Sequence, residues 1–134
     1  MAQLSTFGPL AMSVILKSPS GADIQVNMWH WRPTMLLVRE ALHLDDERFE
    51  LLQVNGVGAA ISSSEAGKIA IFLEDYIATF PKDGRLLLDG SITQEPKGSP
   101  SFSDGDFDRH YSATYSWLVS FQDFCRSCSG FKVI

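Results

Sequence analysis

The stretch Ser62-Ser63-Ser64-Glu65, followed by a long apolar series, constrains this chain more than any other feature. A serine three residues ahead of a glutamate forms a capping box. The serine hydroxyl accepts the N–H of the third residue, and the glutamate reaches back to the N–H of the cap. Behind it Ile69, Phe72, Leu73, Tyr76, Ile77 and Phe80 recur at i, i+3, i+4, i+7, i+8 and i+11, one face of a helix that Pro81 closes. The spacing predicts a helix over 63–80, and so wide an apolar face must be buried against other elements.

Those elements are predicted on both sides of the helix. "SVILKS" and "ADIQVNM" are β-rich runs joined by Pro19-Ser20-Gly21, the pattern of a hairpin. In the second run Ile24, Val26 and Met28 share one face, and Asp23, Gln25 and Asn27 the other. Arg32-Pro33-Thr34 is expected to end this strand, with Pro33 in the first turn of a helix, where its missing N–H costs little. Met35, Leu36, Val38 and Leu42 give that helix its stripe, to about His43. "LDDERFELLQVNG" predicts a short second helix, with Asp45 and Asp46 at its positive end and Asn55-Gly56 as its stop.

After a turn at Lys82-Asp83-Gly84, "RLLLDGS" reads as a short strand. Residues 94–110, rich in Pro, Gly, Ser and Asp, read as a long surface loop, a length associated with mobility or function. "YSATYSWLVSFQDFCRSCSG" predicts a broad-faced helix over 111–128 stopped by Gly130, and "FKVI" a last strand. The fold expected is α+β: a small, mainly antiparallel sheet packed against three or four helices. Residues 1–12 are expected to form an N-terminal extension or tail, and residues 13–134 a single domain.

Charge narrows the partners. Sixteen acidic against eleven basic residues leave a formal net charge of -5. That balance repels a phosphate backbone, so nucleic-acid and anionic-membrane binding are disfavoured and a basic protein partner suits it better. No apolar run approaches the roughly 20 residues that cross a bilayer. "MAQLSTFGPLAM" has neither the basic leader nor the apolar segment of a secretory signal, so a soluble cytoplasmic protein is expected.

The densest chemical cluster is Trp29, His30, Trp31 and Arg32, just before Pro33. If the strand continues, both indoles point to one face and His30 to the other. A functional reading makes the indoles a stacking platform beside Arg32, a cation able to grip a carboxylate or phosphate with two parallel hydrogen bonds. A structural reading buries them against the Ser62-capped helix and uses Arg32 to satisfy carbonyls or pair with an acid.

Other motifs are incomplete. Cys125 and Cys128 form Cys-x-x-Cys, but at the end of a helix, where the dipole opposes a thiolate, and no second pair exists to complete a zinc site. Asp104, Asp106 and Asp108 alternate like calcium ligands, yet the positions needing Gly and Glu hold Arg109 and Tyr115. Gly56 and Gly58 precede a helix without the lysine of a P-loop or a full dinucleotide fingerprint. His110 with Asp108 or Asp106 could form a base and its orienter beside Ser112, but neighbours in sequence seldom make a triad. No cofactor or metal is implied, and the chain carries no complete catalytic signature.

Taken together, "WHWRPT", the Asn55-Gly56 turn, "LLLDGSIT" and the ending "WLVSFQDFCRSCSGFKVI" resemble a group of small bacterial proteins with no assigned activity. The shared features are a W-x-W-R-P-T segment and an F-C-R-x-x-x-G-F ending. The resemblance implies a standalone bacterial protein and brings no catalytic residue with it.

Two functional expectations result. The first is a non-enzymatic protein-interaction domain, an immunity or antitoxin-like regulator for example, contacting a basic partner through Asp104, Asp106, Phe107 and Asp108. The second is a small-ligand pocket, catalytic or not, at Trp29, His30, Trp31 and Arg32.

Overall fold

A computed structural model describes residues 13–54, 56–94 and 111–134. The predicted hairpin forms from β1 (Ser13–Lys17) and β2 (Ile24–Asn27), in register from Ser13 opposite Asn27 to Leu16 opposite Ile24. Two helices follow, α1 (Met28–Leu42) and α2 (Asp46–Leu51). Next come β3 (Ala59–Ile61) and the long helix α3 (Ser63–Ala78). Strands β4 (Arg85–Leu87), β5 (Ile92–Thr93) and β6 (Ser112–Thr114) precede α4 (Tyr115–Ser127) and β7 (Phe131–Val133).

The architecture is α+β, as expected, with the strands divided between two antiparallel sheets. One has the order β2-β1-β7-β3 and the other β5-β4-β6. "RLLLDGS" therefore does not join the hairpin's sheet. It pairs with the Ser112–Thr114 segment instead, Leu86 opposite Ala113. "FKVI" does join, and lies in the middle of its sheet: Leu16 faces Val133 on one side and Ile61 faces Phe131 on the other.

Alternation decides which face of the larger sheet is buried. Val14, Leu16, Val26, Ile61, Phe131 and Val133 point into the core, while Ile15, Lys17, Gln25, Ala60 and Lys132 face solvent. Above the inner face, α3 contributes Ala66, Ile69, Ala70, Leu73 and Ile77, and α4 contributes Leu118, Phe121, Phe124 and Cys125. Phe72 and Tyr76, placed by periodicity on the apolar face of α3, lie at its edge and are half-buried.

Two helix starts differ from the sequence reading. Helix α1 begins at Met28, not near Pro33, because Asn27 caps it: its Oδ1 accepts the His30 N–H at 3.0 Å. The residues from Trp29 to Arg32 are therefore helical, and Pro33 falls in the second turn. Its ring nitrogen has no hydrogen for the Trp29 carbonyl one turn back. Helix α4 begins at Tyr115, not at 111, because Thr114 caps it by accepting the Trp117 N–H at 3.2 Å. Residues 112–114 are instead held extended by β4.

The capping box of α3 is present and is tied into the tertiary structure. Ser62 Oγ accepts the Glu65 N–H at 3.1 Å, and Glu65 Oε1 accepts the Ser62 N–H at 3.0 Å. Arg48 of α2 then grips both oxygens of Glu65, at 2.6 and 2.7 Å, and donates to the Ala60 carbonyl at 2.9 Å. One guanidinium thus fastens α2, β3 and the start of α3.

The Arg48 hydrogen bonds hold the Glu65 carboxyl down to about 2, from an ordinary 4.5, against the opposing effect of burial. A carboxyl lowered on folding stabilises the folded state fully above its unfolded pKa and loses that contribution as pH falls through the folded one. With side chains 37% and 24% exposed, solvent screens the pair. The expected contribution is about 1 kcal/mol. Urea unfolding of the protein and of Glu65→Gln is expected to differ by that amount at pH 6. The difference should shrink from about pH 4.5 downwards and be small near pH 2. A difference that stays constant with pH would show that the fork is not charge-assisted.

Candidate functional site

The Trp29–Arg32 cluster is the first place to look for chemistry, and its helical conformation changes its geometry. At about 100° per residue, Trp29 and Trp31 point away from each other rather than to one face. Trp31 is 1% exposed. Its Nε1 donates to the Leu52 carbonyl at 2.9 Å, and its ring meets Phe121 of α4 edge-on, with centroids 5.6 Å apart. For this indole the structure has the buried arrangement, with an aromatic partner on α4.

The other three side chains reach towards β6 and the loop after α2. Trp29 packs against Tyr111, centroids 4.4 Å apart, and the Arg32 guanidinium carbon lies 5.4 Å from the same ring. Arg32 Nε donates to Gln53 Oε1 at 3.3 Å, and Gln53 donates onward to the Phe49 carbonyl. His30 Nδ1 lies 2.7 Å from the Ser112 carbonyl, which makes that nitrogen the protonated one. Ser112 Oγ in turn accepts from the guanidinium of Arg85, a residue that is 5% exposed.

A second polar link closes the corner. Thr34 Oγ1 donates to the His30 carbonyl at 2.7 Å and accepts the Trp117 Nε1 hydrogen at 2.8 Å. The Trp117 ring stacks between His30 and Phe121. The cluster therefore joins α1 to α4, to β6 and to the loop after α2. Its polar atoms are directed largely at the chain's own carbonyls and side chains.

Asp104, Asp106, Phe107 and Asp108, and with them His110, lie outside the described residues. Ser112 is buried in the network just given. Cys125 is buried and Cys128 half-buried; both are free thiols, and burial pushes each upward from its ordinary pKa. Among the described residues no three His, Cys, Asp or Glu side chains converge as metal ligands, and no helix is long and apolar enough to cross a membrane.

The surface that sequence reasoning passed over is the outward face of α3. Lys68, Ile71, Phe72, Asp75 and Tyr76 line a shallow depression of about 540 Å³. They recur at the i, i+3, i+4 spacing that places residues on one side of a helix. Ile71 is 68% exposed at its centre. Phe72 and Tyr76 stack beside it, centroids 6.2 Å apart, and the aromatic line continues through Phe80 to Tyr115. Burial raises the Tyr76 phenol, and the charge of Glu40 on α1 raises it further, which places that carboxylate close by. The signal was present in the sequence: Ile71 does not fit the apolar series of this helix and stands as an isoleucine on its polar side.

Comparison of the chain with protein-family models, with curated proteins and with solved structures gave no match.

Proposed function

We propose that this protein is a small, acidic, non-enzymatic interaction domain, cytoplasmic and soluble, that docks a basic protein partner on the outward face of α3. The observation that carries the reading is Ile71, a β-branched side chain left 68% exposed beside two stacked aromatic rings. A lone exposed apolar residue is ordinary, but a continuous apolar patch on a small domain marks an interface.

The rim states the chemistry of the partner. Glu74 and Asp75 flank Ile71 at i+3 and i+4, and Glu40 lies near Tyr76, against one cation, Lys68. An apolar anchor ringed by lysine or arginine complements that arrangement, and the overall charge of -5 would steer it in. The same charge disfavours nucleic acid. A regulator of the immunity or antitoxin kind, which restrains a basic partner, fits this description. The aspartates at 104, 106 and 108 would add to the steering.

The Trp29–Arg32 corner is the weaker site, since its buried indole and its hydrogen bonds serve to hold α1 in place. The test is affinity capture from a lysate of the source organism at low and moderate salt, with Ile71→Lys as the comparison. A partner held by the native chain, weakened by salt and bound at least tenfold less by Ile71→Lys at unchanged Tm, is the expected result. Recovery of the same proteins by both baits, or of background alone, overturns the proposal.

A further inference from the structure

The exposed crest of α3 reads the same in both directions once charge is inverted. Lys68, Ile71, Phe72 and Asp75 border the depression on this helix. At about 100° per residue, Lys68 and Asp75 point the same way to within about 20°, and they stand about 10.5 Å apart along the axis. Ile71 and Phe72 lie midway between them, about 50° to either side of that line. The separation is too long for the two charges to pair within one helix. Both are exposed, and neither has an ion-pair partner among the described residues.

Such a crest complements itself. In an antiparallel pair of helices, a two-fold axis passing midway between positions 71 and 72 sets each residue level with the one equally far on the other side. Lys68 of each copy then faces Asp75 of the other, and the two contacts are identical by symmetry. Like residues meet at the axis, Ile71 with Ile71 on one side of the crest and Phe72 with Phe72 on the other. The axes of packed helices lie about 8–10 Å apart, a gap that a lysine and an aspartate side chain span together. Ile71, 68% exposed in the single chain, has the most apolar surface to remove from water there.

We propose that a second copy of this chain docks antiparallel on α3, forming a weak dimer that covers this face until a basic partner competes for it. The charges set the register, because a parallel pair would place Lys68 level with Lys68 and Asp75 level with Asp75, where like charges repel. Two helices crossing over a few turns bury less than the roughly 1,200 Å² at which standard interfaces begin. Each copy also carries a net charge of -5, which opposes the contact at long range. Glu74, exposed beside Asp75, lies outside the two ion pairs and gains no cation in the dimer. A partner rich in lysine or arginine supplies one and meets no such repulsion, so it displaces the second copy. The dimer stands on the crest alone; only its covering role rests on the partner reading.

Sedimentation equilibrium of the full chain tests this, with a reversible monomer–dimer equilibrium as the expected result. Lys68→Glu and Asp75→Lys should each weaken the dimer at least tenfold at unchanged Tm, since each makes like charges face one another twice. The double variant, Lys68→Glu with Asp75→Lys, should regain the native constant. An equal mixture of the two single variants should associate more tightly than either alone. A native chain that stays monomeric up to its solubility, single variants that dimerise as the native chain does, or a double variant no better than the singles would each overturn the dimer. None of those results touches the capture of a basic partner. Lys68→Glu, monomeric and with its acidic rim intact, should capture that partner at least as well as the native chain; weaker capture would overturn the covering role. A chain that dimerises as described but captures no partner overturns the docking reading and leaves the dimer standing.

Discussion

Trp31→Ala is expected to destabilise the protein by about 3–5 kcal/mol, the usual effect of truncating a fully buried indole. A small domain has about 5–15 kcal/mol in total, so a large fraction of the chain should be unfolded at 37 °C. Two losses combine: a cavity against Phe121, and a Leu52 carbonyl deprived of its donor at the end of α2. Trp31→Phe separates them, because it keeps most of the bulk and removes the hydrogen bond; about 1–2 kcal/mol is expected for that variant. Urea unfolding of both checks this. If Trp31→Ala unfolds at nearly the native urea midpoint, the indole is not the hub that joins α1 to α2 and α4.

Gly130→Ala is expected to cost about 3 kcal/mol, from strained backbone and overpacking together. Gly130 has φ +93, and a Cβ there would lie 2.7 Å from the Ile61 carbonyl oxygen and 2.9 Å from the Ser63 nitrogen. Both are backbone atoms, fixed by β3 and by the capped start of α3, so neither can give way as a side-chain tip does. Gly21 provides the internal control. It has φ +87 in the hairpin turn and nothing within 4 Å of its Cβ position. Gly21→Ala should therefore show the backbone preference alone, about 1 kcal/mol. Equal losses in the two variants would mean that crowding at Gly130 contributes nothing.

The elements legible in the sequence are those whose signals are local. The Ser62 box and the hairpin turn at Pro19-Ser20-Gly21 need only their own neighbours, and both stand where they were expected. The three-residue strands Ala59–Ile61 and Ser112–Thr114 carry no period of their own. They are extended because β7 and β4 offer them partners far along the chain. Asn27 misled because it satisfies two rules: it continues the polar alternation of β2 and it is a strong N-cap. The cap prevailed, and with it the indoles moved from a period of two to one of 3.6. Ile71 could have been noticed as an apolar residue off its stripe. That this side of α3 is left uncovered could not, since only the packing of α1 and α4 against the helix decides it.

The position of β7 also bears on how the chain reaches its native state. Residues 131–134 are the inner neighbours of β1, down to the reciprocal hydrogen bonds between Ile15 and Ile134. Almost the whole length of the chain separates the two partners, so the loop-closure entropy of this pairing falls due late and slows folding. On the ribosome β1 emerges well before β7 and must wait for it. Until Phe131 to Ile134 arrive, the hairpin offers an unpaired edge bearing the apolar side chains Val14 and Leu16, a template for pairing with another nascent chain. Pairing with β7 thus moves β1 from an exposed edge to the interior of the sheet, while β2 remains at its own edge.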